Sequence, residues 1–94
     1  MAITLRFEWD KNKNSKNIEK HGVAFQDALK VFFSEHVRIE LDSDDELRFA
    51  AIGFMSKKLF TVIYTIRNNK FRLISARRSR EDEERYYEKI FYHR

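Results

Sequence analysis

A chain of 94 residues can bury one core but not two, and 43% hydrophobic content with nine Phe is enough for it to fold alone. It has no Cys, which excludes disulfides and thiolate metal sites, and no apolar run nears the roughly 20 residues of a membrane helix. The 19 Lys and Arg exceed the 15 Asp and Glu, a net charge of +4 that admits a polyanionic partner without requiring one. The expectation is a single cytoplasmic domain over residues 1–94, with no secretory h-region at its start.

Thr4 to Trp9 alternates as a short strand with Leu5, Phe7 and Trp9 on one face. Asp10 suits an N-cap and Gly22 a C-cap, so Lys11 to His21 reads as a helix. That helix has four Lys, three Asn and a single apolar residue, Ile18, so it buries little and must be held by its ends. Phe25, Ala28, Leu29, Phe32 and Phe33 recur at helical spacing and predict a core-facing stripe.

Val37 to Leu41 alternates as a strand with one wet face, and Asp42 to Glu46 is a polar turn. Leu47 to Phe54 and Lys58 to Arg67 are the longest apolar runs. The second is apolar on both faces and should be central. Met55-Ser-Lys57 and Asn68-Asn69 supply hairpin turns, and Phe71 to Arg78 is the last strand. Ser79 and Asp82 have capping-box spacing, and a helix to about Phe91 follows. The order β-α-α-β-β-β-β-α predicts an α+β fold, an antiparallel sheet covered by helices.

Charge is unevenly placed. Arg67 to Arg80 holds six cations and no acid, whereas Glu35 to Arg48 holds six acids and two bases. On a regular strand Arg72 and Arg78 share one face, and Arg77 lies on the other with Phe71 and Leu73. Guanidinium groups fixed on a strand can grip phosphate bidentately, so RNA or DNA is the first partner to consider. The acidic stretch offers a separate patch to a basic protein.

Motifs exclude most chemistry. His21, His36 and His93 have no HxxxH or HExxH spacing, and the two glycines build neither a P-loop nor GxGxxG. What remains is His, Arg, Glu and Tyr. That set suffices for RNA cleavage by the substrate's own 2′-hydroxyl, which needs a base, an acid and cationic stabilisation of the transition state.

Two ordered blocks of residues then carry a resemblance. Phe7-Glu-Trp-Asp10, Lys13-Asn14, Asn17 and Lys20-His-Gly-Val23 with Phe25 form the first. Val62-Ile-Tyr-Thr65 with Arg67, Arg72-Leu-Ile-Ser-Ala-Arg-Arg78, Glu83 and Tyr87-Glu88 form the second. Together they resemble the BrnT-type toxins of bacterial type II toxin–antitoxin systems. The resemblance implies a RelE-like fold and a growth-restraining endoribonuclease that needs no metal or other cofactor. It also implies a cognate BrnA-like ribbon-helix-helix antitoxin, a heterotetramer with it, and binding of that complex to operator DNA. After Arg78 the chain departs from the family's basic continuation, with Ser79-Arg-Glu-Asp-Glu-Glu84 mostly acidic.

The residues expected at a catalytic site are His21, Arg67, Arg77, Glu83 and Tyr87, with Lys20, Arg72, Arg78 and Arg80 contacting RNA. Arg67, Arg77 and Arg78 would stabilise phosphate charge, His21 and Glu83 would form the acid–base pair, and Tyr87 would assist. Each has a plainer explanation: His21 and Glu83 suit the dipoles of their helix ends, the arginines suit ion pairs, and Tyr87 suits a core. A non-catalytic nucleic-acid-binding module and a protein-interaction domain are the alternatives to an enzyme.

Overall fold

In the computed structural model, which describes residues 6–92, Asp10 accepts the backbone N–H groups of Asn12 at 2.7 Å and Lys13 at 3.3 Å and starts a helix. The elements are β1 (Phe7–Glu8), α1 (Lys11–His21), α2 (Phe25–Phe32), β2 (His36–Leu41), β3 (Arg48–Met55), β4 (Lys58–Arg67), β5 (Lys70–Arg78) and α3 (Glu81–Tyr92). This is the expected order. Of the first predicted strand, Thr4 and Leu5 lie outside the described residues.

The five strands form one sheet in the order β1-β5-β4-β3-β2. β4 is central, as its two apolar faces require. β2 to β5 pair antiparallel, whereas β1 joins β5 in parallel, so the sheet is mixed. Both tight hairpins use two residues with positive φ: Ser56 and Lys57 at 54° and 70°, Asn68 and Asn69 at 50° and 63°. That geometry matches the twist of the flanking strands.

α2 covers one face of the sheet, and α1 lies along the edge of β5. Phe25, Ala28 and Val31 of α2 are fully buried against Phe49, Ala51, Val62, Tyr64, Leu73 and Ala76. Burying a side chain the size of Phe25 contributes roughly 2–3 kcal/mol. The helical stripe is shifted from the expected one. Phe33 is 69% exposed, because the helix ends at Phe32, and Val31 is buried in its stead. α3 crosses the other face, where Tyr87 packs with Val37, Ile52 and Leu59.

The polar helix α1 is held by its middle as well as its ends. Asn17 is buried, and its amide nitrogen donates to the carbonyls of Val23 and Ala76, each at 2.8 Å. Its Oδ1 accepts the Ala76 N–H at 3.1 Å. One side chain thus satisfies both backbone groups of Ala76, in the manner of a neighbouring strand, beyond the point where β1 ends. Asn14 Oδ1 accepts the Phe25 N–H at 2.8 Å and caps α2, whose own Ala24 cannot.

A bulge decides which way the basic strand faces. Tyr64 pairs with Leu73 and Ile63 with Ser75, so Ile74 is an extra residue and the alternation of β5 changes phase there. Phe71, Leu73, Ala76 and Arg78 lie on the α2 face, where Arg78 sits over the Phe60 ring at 5.6 Å. Lys70, Arg72, Ser75 and Arg77 lie on the α3 face with Thr61 and Thr65. The expectation that Arg72 pairs with Arg78, and Arg77 with Phe71 and Leu73, is therefore corrected. Strict alternation holds only for a strand without an inserted residue.

Candidate functional site

The end of β5 and the start of α3 meet through Arg77 and Glu83. Arg77 donates to both Glu83 oxygens, at 2.7 and 2.9 Å, and each side chain is only 16% exposed. Glu83 Oε1 also accepts the Thr61 hydroxyl at 3.1 Å and the Arg80 backbone N–H at 2.7 Å. The Arg80 bond is the back-bond of a capping box, made one residue later than Ser79 and Asp82 suggested. Ser79 instead places its hydroxyl 2.8 Å from that of Thr61.

Electrostatics follow from this geometry. Burial alone would raise the Glu83 carboxyl, but the bonds from Arg77, Arg80 and Thr61 outweigh it and hold the group below its ordinary range. The bond that Arg77 donates to Glu83 in turn holds its guanidinium above its ordinary value despite partial burial. One shift is downward and the other upward, and each favours the charged form, so both groups are charged and paired. With four donors on it, Glu83 is a fastening carboxylate with little capacity left to accept a substrate proton.

Arg67 belongs elsewhere. It is paired with Glu46 at 3.2 and 3.1 Å near the β4–β5 turn, six residues along β4 from the partner of Arg77. At the rise of a strand that is about 20 Å, too far for Arg67 and Arg77 to act on one phosphate. Tyr87 is part of the core beneath α3. Its ring is 3% exposed, its hydroxyl donates to the Glu35 carbonyl at 3.4 Å, and burial pushes the phenol above its ordinary value. Arg72 pairs with Glu8 at 3.0 Å, and Arg78 and Arg80 are exposed.

His21 occupies a third place. It lines a pocket of about 210 Å³ at the β5 bulge, together with Lys13, Lys16, Asn17, Lys20, Ile74 and Ser75. Every ionisable side chain in that lining is a lysine or the histidine. Asn17 fixes the wall, because its anchor on Ala76 holds α1 against the edge of β5. Lys13 and Lys16 are absent from the expected site residues, although the signal was present. Lys13, Lys16 and Lys20 recur at i, i+3 and i+7, which puts them on one stripe of α1 with Asn17 and His21 beside them.

Of the expected acid–base pair, His21 lines this pocket, and Glu83 is engaged by Arg77 on the α3 face. Among the described residues no three His, Asp or Glu side chains converge as metal ligands would. No helix among them is long and apolar enough to cross a membrane.

Comparison with known proteins identifies the arrangement. No curated protein sequence matches the chain. In three dimensions it is similar to the ribonuclease toxin BrnT of Brucella abortus, known from a crystal structure at 1.1 Å resolution. The TM-score is 0.65 at 27% identity, over 83% of this chain and 100% of that one. The family model described as "Ribonuclease toxin, BrnT, of type II toxin-antitoxin system" matches residues 9–83, which include α1, the whole β2–β5 meander and Glu83. The chain belongs to this family of BrnT ribonuclease toxins.

Proposed function

We propose that this chain is an endoribonuclease toxin that restrains growth by cleaving RNA at the pocket around His21, without a metal ion. The observation that carries this reading is the lining of that pocket, with three lysines, one histidine and no carboxylate. The 2′-hydroxyl of the substrate supplies the nucleophile. Its oxygen bonds to the adjacent phosphorus as the bond to the 5′-oxygen breaks, leaving a 2′,3′-cyclic phosphate and a 5′-hydroxyl. One proton leaves the 2′-oxygen and one reaches the 5′-oxygen.

An imidazole can take or give such a proton, so His21 is the acid–base residue of this scheme. The ammonium groups of Lys13, Lys16 and Lys20 neutralise the extra charge that builds on the phosphoryl oxygens. Arg78, exposed at the last position of β5, and Arg80 just beyond it add attraction for the RNA backbone. Arg77 and Glu83 act at one remove by fixing α3 to the sheet. In the cell, a ribbon-helix-helix antitoxin neutralises the toxin within a heterotetramer that binds operator DNA, a part of the proposal that rests on family membership.

The test is cleavage of a labelled single-stranded RNA by the purified chain in EDTA, beside His21→Ala. The parent is expected to release cyclic-phosphate ends, and His21→Ala to be slower by about 10²–10⁴-fold with its fold intact. Salt-dependent binding of RNA that stays whole would favour the passive binding module instead.

A further inference from the structure

The α3 face of the sheet is only partly covered. α3 packs across Leu59, Ile52 and Val37, and among the described residues no helix crosses the region of Arg72, Thr65 and Lys70. There Lys70 and Arg72 stand two residues apart on one face of β5, with side chains 40% and 30% exposed. Both reach toward a single carboxylate, Glu8 of β1, at 3.8 and 3.0 Å. Two cations on one acid leave a surplus of positive charge. Ser75 shares this face and also lines the His21 pocket, so the two basic areas are continuous along β5. Ser75 and Arg72 are about 10 Å apart at the rise of a strand.

We propose that Arg72 and Lys70 form a second phosphate subsite, taking RNA that flanks the linkage held at His21, and that Glu8 is the carboxylate this RNA displaces. The inference rests on the ribonuclease reading above. Charge decides where the path runs. Toward β3 it is closed by the loop of Asp42, Asp44 and Asp45, which shares a pocket with Arg48, and by Glu46, which already holds Arg67. The neighbours of Arg72 on its own face, Ser75, Thr65 and Lys70, include no aromatic ring. The subsite therefore grips backbone phosphate and stacks no base, so it lends affinity without sequence preference.

Glu8 gives the proposal a signature that a merely structural role lacks. If Arg72 and Lys70 meet phosphate, removing their competing carboxylate strengthens RNA binding. If the trio only pins β1 to β5, removing it does nothing for RNA or weakens binding. The experiment is fluorescence anisotropy with 2′-O-methyl RNA, which lacks the nucleophile and stays whole, as a trinucleotide and as a decanucleotide across a salt series.

For Lys70→Gln the decamer-to-trimer affinity ratio is expected to fall, and the decamer salt slope to flatten by about 0.7. Lys70→Gln/Arg72→Gln should flatten it by about 1.4. Glu8→Gln should raise decamer affinity several-fold. Lys70→Gln guards against misfolding, since it breaks only the 3.8 Å contact at the surface. Trimer and decamer binding by the parent, with a ratio that neither Lys70→Gln nor Glu8→Gln moves, would overturn the subsite alone and leave this face to a protein partner. A parent that binds neither RNA would overturn the ribonuclease site and the subsite together.

Discussion

The Arg77 guanidinium holds both oxygens of the Glu83 carboxylate, at 2.7 and 2.9 Å, and so fastens the last residues of β5 to the first turn of α3. Breaking one half of such a pair strands the other charge in a site that water reaches poorly. Glu83→Gln keeps the shape and is expected to cost about 3 kcal/mol in urea unfolding. Arg77→Met/Glu83→Leu should cost less than Glu83→Gln alone, because no charge is left stranded. Equal losses in both would show that the ion pair itself supplies the stability.

The same pair sets an acid limit. The folded Glu83 carboxyl lies below its ordinary value, so its contribution is complete above the unfolded value of about 4.3 and is lost as pH falls through the folded one. Unfolding free energies of the parent and Glu83→Gln should therefore differ most near neutral pH and converge below about pH 4. A constant gap across that range would refute the linkage. Arg77, raised above an already high value, plays no part in this window.

Asn17 bonds to Val23 and Ala76 through both ends of its amide. Asn17→Ala leaves the two Ala76 backbone groups and the Val23 carbonyl without partners in a buried setting. A loss of about 3 kcal/mol is expected. Asn17→Asp retains the acceptor but not the donors and should lose a comparable amount. Faster amide exchange at Ala76, measured by NMR, would locate the damage at the edge of β5.

Tyr87 separates the core from the site. Tyr87→Phe removes one long hydrogen bond of 3.4 Å to the Glu35 carbonyl and leaves the ring in place. RNA cleavage is expected to stay within about twofold of the parent, with a stability cost of about 1 kcal/mol or less. A fall of 10²-fold or more in rate, with the fold intact, would return Tyr87 to the catalytic residues.

Lys57 adopts a left-handed backbone, φ 70°, in the β3–β4 hairpin. A side chain there costs about 1 kcal/mol that glycine avoids, partly offset by the freedom glycine gains in the unfolded chain. Lys57→Gly should raise the midpoint of thermal unfolding by a few degrees. The Asn68-Asn69 turn, whose residues tolerate this region, should gain less from the same change.

The sequence by itself determined most of the elements and their order. Caps at Asp10 and Gly22, the alternation of Val37 to Leu41 and the Asn68-Asn69 turn act within a few residues, and short-range geometry is written in neighbouring side chains. The cationic stripe of Lys13, Lys16 and Lys20 was legible in the same way, although its partner surface was not. Only the tertiary structure decided the rest. One inserted residue, Ile74, reverses the faces of β5 beyond it, which sends Arg77 to Glu83 and Arg78 to Phe60. Asn17 meets Ala76 across 59 positions, and only that contact shows why a polar helix stays docked and why His21 stands over the bulge. Side-chain periodicity is local, whereas the register of a sheet and the company of a charge depend on residues far away in the chain.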